Sequence, residues 1–285
     1  MRLKRPFELS GGAPYRARSS ISSPYASCNG LASRLQGTRE TITSRLMENT
    51  HHPSGSPWRN FYGRFKGKTL RPAQIEALDE DLDRLSVPNV SWDVNPDRTQ
   101  IDLQALFGQK DLWLEIGFGG GEHLVHQARS NPDVGFIGCE PFLNGVAMLL
   151  QKLRETPCEN VRIHPGDARH LFDVLPNESV SKAFLLYPDP WPKKRHHRRR
   201  FVTQEHLLPL YDVLKPGAIL RVATDIPDYV RQTLQEVPKA GFEWLAEGPS
   251  DWRTPWQDWI STRYEQKAFR EGRGAHYLTF QKPHA

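Results

Sequence analysis

The chain has 285 residues, of which 38% are apolar, enough for one folded core and too many for a disordered or fibrous protein. The formal net charge is +5, but six fixed cations lie between Lys193 and Arg200, and the chain without them would be slightly negative. Basic charge concentrated in one segment predicts a polyanionic partner. The three cysteines, Cys28, Cys139 and Cys158, have no paired spacing, so the sequence indicates neither a disulfide framework nor a zinc site.

No apolar run approaches the roughly eighteen residues of a membrane span, and no charged-then-apolar leader opens the chain. With the unpaired cysteines, this predicts a cytoplasmic protein that does not bind membranes. Residues 1–47 hold eight Lys or Arg against Glu8 and Glu40 and have no periodicity, which predicts a disordered basic tail. The same composition is typical of a transit peptide, and Met47 could be the true start, so the role of the tail stays open.

Residues 48–106 are predicted to form an extension, with a helix from Ile75 to Leu85 and a proline-bounded linker to Leu106. Residues 107–285 are predicted to form the main domain, in which strand and helix patterns alternate. The predicted strands are DLWLEIGF, GFIGCE, VRIHPGDA, KAFLLYPD, AILRVATD and FEWLAE. The predicted helices are GEHLVHQARS, FLNGVAMLLQKLRE, a segment around His170 to Leu175, QEHLLPLYDVL and YVRQTLQEV.

This alternation is typical of an α/β fold with a doubly wound, Rossmann-like and mostly parallel sheet. KPG, residues 215–217, is interpreted as the stop of a helix before the strand AILRVATD. The last strand, HYLTFQKP, has no helix after it, so it is expected to join an edge of the sheet in the antiparallel sense.

The first predicted strand ends in a glycine-rich turn, EIGFGGG, from Glu115 to Gly121. Gly117, Gly119 and Gly121 lie where the backbone must approach a ligand closely. The spacing lacks the third glycine position of a dinucleotide-binding turn, and the carboxylate of Glu115 would repel a pyrophosphate. A cationic ligand would instead be attracted to this carboxylate.

Acidic residues also end the next three predicted strands. Glu140 closes the second strand, where an acid can accept hydrogen bonds from both ribose hydroxyls. Asp167 follows the third strand and could accept from an adenine amino group, and Asp189 follows the fourth. Because the carboxyl ends of parallel strands meet at one edge, these acids and Glu115 predict a cleft suited to S-adenosylmethionine.

The most specific motif is PDPWPKKRHH, from Pro188 to His197, and with LEIGFGGG, GCEP, ATD and TRYE it resembles the bacterial tRNA guanine-N7 methyltransferases. The resemblance runs from about Trp58 to Pro283 and includes FYGRFKGKTLRPAQ. It implies a class I methyltransferase fold with seven strands, the last one antiparallel. It further implies methyl transfer from S-adenosylmethionine to N7 of the variable-loop guanine, position 46, of tRNA, with no obligatory protein partner.

The resemblance also implies a role for each residue that matches a family motif. Cofactor binding falls to the glycine turn and the four acids, Glu115, Gly117, Gly119, Gly121, Glu140, Asp167 and Asp189. Asp189 is in addition the expected catalytic residue. The guanine or its nucleotide is expected to contact Lys193, Asp225, Thr262, Arg263, Tyr264 and Glu265. The tRNA is expected to contact Arg195, His196, His197, Arg198, Arg199 and Arg200.

Two other functions remain open: a catalytically silent RNA-binding protein of the same fold, and a methyltransferase that acts on an exocyclic amine, since PDPW is similar to the turn of amino-methylating enzymes. Trp191 could wall the pocket, stack on a base or fill a packing gap. His123 and His126 are interpreted as helix surface residues, because no third metal ligand lies near them in the sequence. Trp252, Trp256 and Trp259 are predicted to be packing residues.

Overall fold

A computed structural model describes residues 61–284, and the predicted tail lies outside this range. In this part of the chain, one sheet has seven strands in the order β3-β2-β1-β4-β5-β7-β6. The strands are β1 Asp111–Ile116, β2 Val134–Cys139, β3 Val161–His164, β4 Val180–Leu186, β5 Leu214–Thr224, β6 Glu243–Trp244 and β7 His276–Gln281. Strands β1 to β5 pair in parallel, and β7 runs antiparallel to its neighbours β5 and β6. The predicted sheet class is confirmed.

Nine α-helices are formed within residues 61–284. They are α1 Pro72–Leu85, α2 Leu103–Phe107, α3 Glu122–Ser130, α4 Leu143–Glu155, α5 Ala168–Phe172, α6 Gln204–Val213, α7 Pro227–Lys239, α8 Ser250–Arg253 and α9 Arg263–Arg270. A 3-10 helix, Lys194–Arg199, follows β4. None of the helices in the described range is long and apolar enough to cross a membrane.

Two predictions about the end of the sheet were wrong. The last strand does not lie at an edge, because FEWLAE supplies β6, which pairs with the outer side of β7. KPG does not separate α6 from its following strand, since β5 already starts at Leu214. Here the pairing of β4 with β5 jumps from Val180↔Leu214 to Lys182↔Ile219, so Lys215 to Ala218 form a bulge in the strand.

The sheet is covered on both faces, and the side chains of β4 show how the faces divide. Ala183 and Leu185 belong to a core cluster shared with α5, α6 and α7. Phe184 and Leu186 point the other way, into a cluster with Tyr277. We call the first side the α6 face and the second side the α3 face, because the helices α1, α3 and α4 pack there.

The segment before β1 is packed on this sheet and is not an open linker. Val87 donates its backbone N–H to the carbonyl of Ile163 in β3, at 2.8 Å. Val87, Val90 and Ile101 are buried in the same core as α6 and α7. Helix α1 lies against α4. Arg154 of α4 forms ion pairs with three residues of α1, Glu76, Glu80 and Asp81.

Candidate active site

A cavity of about 640 Å³ lies at the carboxyl ends of the parallel strands, within the size range typical of small-molecule sites. The ends of β1, β2, β3 and β4 contribute Gly117, Glu140, Asp167 and Asp189 to its wall. Residues 61–64, the 3-10 helix, Phe201, the first turn of α6 and Tyr264 in the first turn of α9 also line it. Three of the four predicted acids therefore meet in one cavity, as the strand pattern indicated.

The glycine turn approaches the cavity through backbone conformations that other residues rarely adopt. Gly117, Gly119 and Gly121 have φ angles of 72°, 57° and 76°. A side chain is also excluded at Gly145, in the first turn of α4, where a Cβ atom would lie 2.3 Å from the carbonyl oxygen of Gly119. Gly145 thus lets α4 close on the turn, and nothing in the sequence pattern identified it as a site residue.

Glu140 is held in place by the backbone on both sides of it. Its Oε2 accepts from Gly119 N at 2.7 Å, and its Oε1 accepts from Phe142 N at 2.9 Å. Burial raises the pKa of Glu140 to about 7, although these two hydrogen bonds oppose the increase. Each carboxylate oxygen keeps a lone pair for a further donor, so this side chain can accept from two neighbouring hydroxyls.

Glu115 does not line the cavity, unlike the other three acids. It is 3% exposed, and its Oε2 lies 2.7 Å from Nδ1 of His123 on α3. The interpretation of His123 as a surface residue was wrong, because this histidine is buried beneath the glycine turn as the partner of Glu115. Within residues 61–284, no three His, Cys, Asp or Glu side chains are grouped as metal ligands would be.

Asp167 combines a structural contact with a position on the cavity wall. Its carboxylate caps α5 by accepting from Arg169 N, and it also forms an ion pair with the Arg169 guanidinium at 2.6 Å. Burial opposes ionisation of Asp167, but the hydrogen bonds and charge of Arg169 outweigh it and hold the pKa below its usual range. Arg169 also lines the cavity and bonds to Glu205, a contact that the sequence did not reveal.

Asp189 lies in a turn with an unusual backbone, which begins where β4 ends. Tyr187 and Trp191 have φ angles of 48° and 40°, in the left-handed region that costs energy for residues with a side chain. The backbone N–H of Tyr187 donates to the carbonyl of Ala223 at 2.7 Å. Burial raises the pKa of Asp189, and the positive charge of Arg64 opposes the increase.

Of the TRYE motif, Tyr264 reaches the cavity, and Thr262 and Glu265 do not. Thr262 caps α9 by accepting from Glu265 N. Glu265 is 1% exposed and accepts hydrogen bonds from Tyr187 Oη at 2.9 Å, from Tyr277 Oη and from Trp259 Nε1. Thr262 and Glu265 are both buried and bonded within the protein, so the structure places them behind the cavity wall, and their expected contact with the guanine stays a prediction.

The other three residues expected at the nucleotide, Arg263, Asp225 and Lys193, do not line the cavity. Arg263 donates to Met148 Sδ and lies near Tyr264 Oη, so its guanidinium lies on α4 rather than in the cavity lining. Asp225 forms an ion pair with Arg273 and does not line the cavity. Lys193 is exposed and does not line the cavity either.

Most of the basic run forms the 3-10 helix, whose residues are exposed or half-buried, and Arg200 after the helix is buried. Arg198 and Arg199 line the cavity, Arg195 is exposed, and His197 lies 3.3 Å from Asp228 on α7. His196, half-buried in the same helix, packs its ring edge against Trp191. These positions leave the cations of the 3-10 helix at the rim of the cavity.

Arg200 is only 1% exposed, so the structure separates it from the exposed cations that are expected to contact tRNA. Its guanidinium donates to the carbonyl of Pro190 at 2.8 Å, to Asp228 Oδ2 at 2.8 Å and to Gln232 Oε1 at 2.9 Å. The contact with Pro190 reaches the turn that carries Asp189. Arg200 is therefore a structural link between this turn and α7.

Residues 61–64 form one wall of the cavity, which the sequence did not predict as part of the site. The guanidinium of Arg199 lies 4.7 Å from the ring centroid of Tyr62 and 5.0 Å from that of Trp191. The segment is attached to α4, since Phe65 O accepts from Leu143 N at 2.9 Å. Trp191 thus walls the cavity, which was one of its three predicted roles.

The three tryptophans before α9 pack within the protein, as predicted. Trp256 and Trp259 lie against Tyr277 in the cluster on the α3 face. Trp252 stacks on His276, with ring centroids 5.7 Å apart.

Comparison with known proteins agrees with this geometry. Residues 109–278 match a protein family described as "Putative methyltransferase". The chain is 75% identical over 231 residues to the tRNA (guanine-N(7)-)-methyltransferase of Ruegeria sp. (strain TM1040), covering 81% of this chain and 91% of the relative. It is 73% identical over 226 residues to the protein of the same name from Ruegeria pomeroyi, covering 79% and 95%. At 49% identity, the Agrobacterium fabrum protein of that name is matched over 77% of this chain and 94% of its own.

The contrast between Arg200 and Arg198 gives a test of the site. Replacing Arg200 with Gln removes charge-assisted hydrogen bonds from a buried position and should lower the free energy of unfolding by about 2 to 3 kcal/mol. Replacing exposed Arg198 with Gln should change it by less than about 0.5 kcal/mol. Urea unfolding followed by circular dichroism measures both values. Equal stability of the two variants would contradict the structural role of Arg200.

Proposed function

Since the chain belongs to the family of tRNA (guanine-N(7)-)-methyltransferases, we propose that it transfers a methyl group from S-adenosylmethionine to N7 of the variable-loop guanine, position 46, of tRNA. One observation carries the proposal: Glu140, Asp167 and Asp189 line a single cavity whose rim is the basic 3-10 helix. An acidic interior suits a sulfonium cofactor, and a basic rim suits an RNA backbone.

The residues present fit the cofactor. Glu140 offers two acceptor oxygens that are already oriented by backbone N–H groups, as two adjacent ribose hydroxyls require. A Cβ atom at Gly117 would meet no other atom within 4 Å, so open space for a ligand lies beside the backbone of the glycine turn. Asp167 is held ionised beside Arg169 and could accept from an adenine amino group. The bound cofactor would supply an electrophilic methyl group on a positively charged sulfur.

The chemistry needs orientation more than proton transfer. Guanine N7 carries an in-plane lone pair and no proton, so no base is required to prepare it for attack. The chain must hold the ring in line with the methyl group, which is the kind of task that positioning residues perform. Trp191, Tyr264 and Tyr62 supply aromatic surface in the cavity for a flat base.

Asp189 has a second task, because methylation at N7 makes the guanine ring cationic. A carboxylate fixed beside the ring favours this developing charge without having to reorganise. The turn after β4 fixes Asp189 through Tyr187 on one side and Pro190 on the other. We therefore assign Asp189 as the catalytic residue, acting by electrostatic stabilisation and by positioning.

Asp189→Asn keeps the size of the side chain and removes its charge, so kcat should fall by about 10²- to 10³-fold. Asp212→Asn makes the same change on the exposed part of α6 and should leave kcat unaltered. Radiolabelled methyl transfer to a tRNA transcript measures both. The proposal fails if Asp189→Asn turns over at the wild-type rate.

The product of the wild-type reaction decides between the proposed function and its alternatives. The digested tRNA should contain a nucleoside that co-elutes with authentic 7-methylguanosine, and cleavage at 7-methylguanine after borohydride and aniline treatment should map it to the variable loop. A product that co-elutes with 2-methylguanosine would support methylation of an exocyclic amine. Absence of any methylated nucleoside would support a catalytically silent RNA-binding protein.

The raised pKa of Glu140 predicts how cofactor binding depends on pH. Ribose hydroxyls donate to the carboxylate form, so binding should strengthen as pH rises towards the pKa of about 7 and level off above it. Calorimetric titration of S-adenosylhomocysteine between pH 5.5 and 8.5 measures this change. Glu140→Gln cannot ionise, and it should bind more weakly without this pH dependence. The same pH dependence in both proteins would show that Glu140 is not the group that titrates.

A further inference from the structure

The outer side of α9 is exposed and basic, and the proposed reaction does not use it. Ala268 and Glu265 face inwards, whereas Lys267, Phe269 and Arg270 face solvent. Lys267 lies 3.9 Å from Glu271, an exposed and weak pair. Arg270 forms no ion pair with any other residue in the range 61–284. Phe269 is 52% exposed, which is high for a phenylalanine.

This helix begins at the cavity and leads away from it. Tyr264, in its first turn, lies over the glycine turn, since a Cβ atom at Gly119 would be 2.9 Å from the tyrosine ring. Helical rise places Arg270 about 9 Å further along the axis than Tyr264. This length corresponds to roughly two or three stacked nucleotides at a rise of about 3.4 Å each.

The helix α9 and the 3-10 helix lie on opposite faces of the sheet. Glu265 of α9 bonds to Tyr187, Tyr277 and Trp259, all in the cluster on the α3 face. After the 3-10 helix, Arg200 bonds to Asp228 of α7, which covers the α6 face. The mouth of the cavity is therefore bordered by one basic helix on each face.

An RNA strand with one base in the cavity continues in both directions from that base. The 3-10 helix lies on the α6 face, so it can contact phosphates on only one side of the target base. We infer that the exposed side of α9 contacts the backbone of the tRNA strand on the other side of the target guanine, with Lys267 and Arg270 on phosphates. This inference rests on the proposed function for the identity of the RNA.

The positive charge of this surface, and its continuity with the basic rim of the cavity, favour RNA over a protein as its partner. Of the two acidic residues in positions 263–273, Glu265 is buried and Glu271 is paired with Arg273. Lys267 and Arg270 thus extend the basic rim of the cavity without an intervening free carboxylate. Phe269 is exposed on the same helix, and aromatic rings on a basic surface can stack with unpaired bases.

The test is the salt dependence of tRNA binding by the double variant Lys267→Gln, Arg270→Gln. The matched control, Lys110→Gln with Lys215→Gln, removes two positive charges at the amino-terminal edge of the sheet, beside Asp111. Fluorescence anisotropy with a tRNA transcript between 50 and 300 mM salt gives the slope of log K against log salt. Thermal unfolding of both variants checks that the fold is kept.

The slope of the α9 variant should be smaller than that of the wild type by about 0.7 to 0.9 for each lost phosphate contact, or about 1.4 to 1.8 in all. The slope of the control should match the wild type, and kcat at saturating tRNA should be the same in all three proteins. A wild-type slope in the α9 variant, or an equal reduction in the control, overturns the inference. Binding needs no turnover, so failure of the wild type to form 7-methylguanosine would overturn the proposed function alone.

Discussion

The turn from Tyr187 to Trp191 carries Asp189 from the end of β4 into the cavity of the candidate site. Two of its residues have left-handed backbone conformations, at a cost of about 1 to 3 kcal/mol each, and such conformations persist only where the surroundings enforce them. Two buried side chains do so from opposite faces of the sheet. Glu265 accepts from Tyr187 on the α3 face, and Arg200 donates to Pro190 O beside α7. Asp189 is thereby fixed between two anchored residues.

The two anchors, Glu265 and Arg200, are ionisable groups that are buried outside the cavity. Glu265 accepts hydrogen bonds from three side chains, and Arg200 donates to three acceptors, so neither is left without partners at its buried position. Glu140 and Asp189, which line the cavity, form no ion pair within residues 61–284. Burial accordingly raises the pKa of Glu140 and Asp189, whereas Asp167 keeps a lowered pKa because Arg169 bonds to it. Glu265 and Arg200 thus hold the backbone of the turn, whereas Glu140 and Asp189 lie where a ligand can reach them.

The strand ends were predictable from the sequence, and the partners of the side chains were not. Alternation of apolar strands and helices placed Glu140, Asp167 and Asp189 at one edge, because parallel strands end together. The same reasoning could not show that Glu115 turns towards His123, since the orientation of a side chain at a strand end depends on the helix packed over it. The order of β6 and β7 depended on the pairing of Trp244 with Phe280, which are far apart in sequence, and no local pattern records it.

In the basic run, too, the partners of the side chains could not be predicted from the sequence, although the residues are close together in the chain. Its cations are equivalent in sequence, but the 3-10 helix ends at Arg199, and the chain then carries Arg200 into the groove beside α7. Residues 61–64 were missed for a different reason, since more than 100 residues separate them from the turn they face. Tyr62 became recognisable only when the fold placed it beside Arg199 and Trp191.

The turn from Tyr187 to Trp191 should be formed before any ligand binds, because its anchors are part of the protein. Crystal structures of the protein with and without S-adenosylhomocysteine test this most directly. Without the ligand, Tyr187 and Trp191 should have positive φ, with Tyr187 bonded to Glu265 and Pro190 O bonded to Arg200. The backbone of residues 187–191 should shift by less than about 1 Å when the ligand binds. Extended φ angles in the ligand-free protein, or a shift above about 2 Å on binding, would contradict the account.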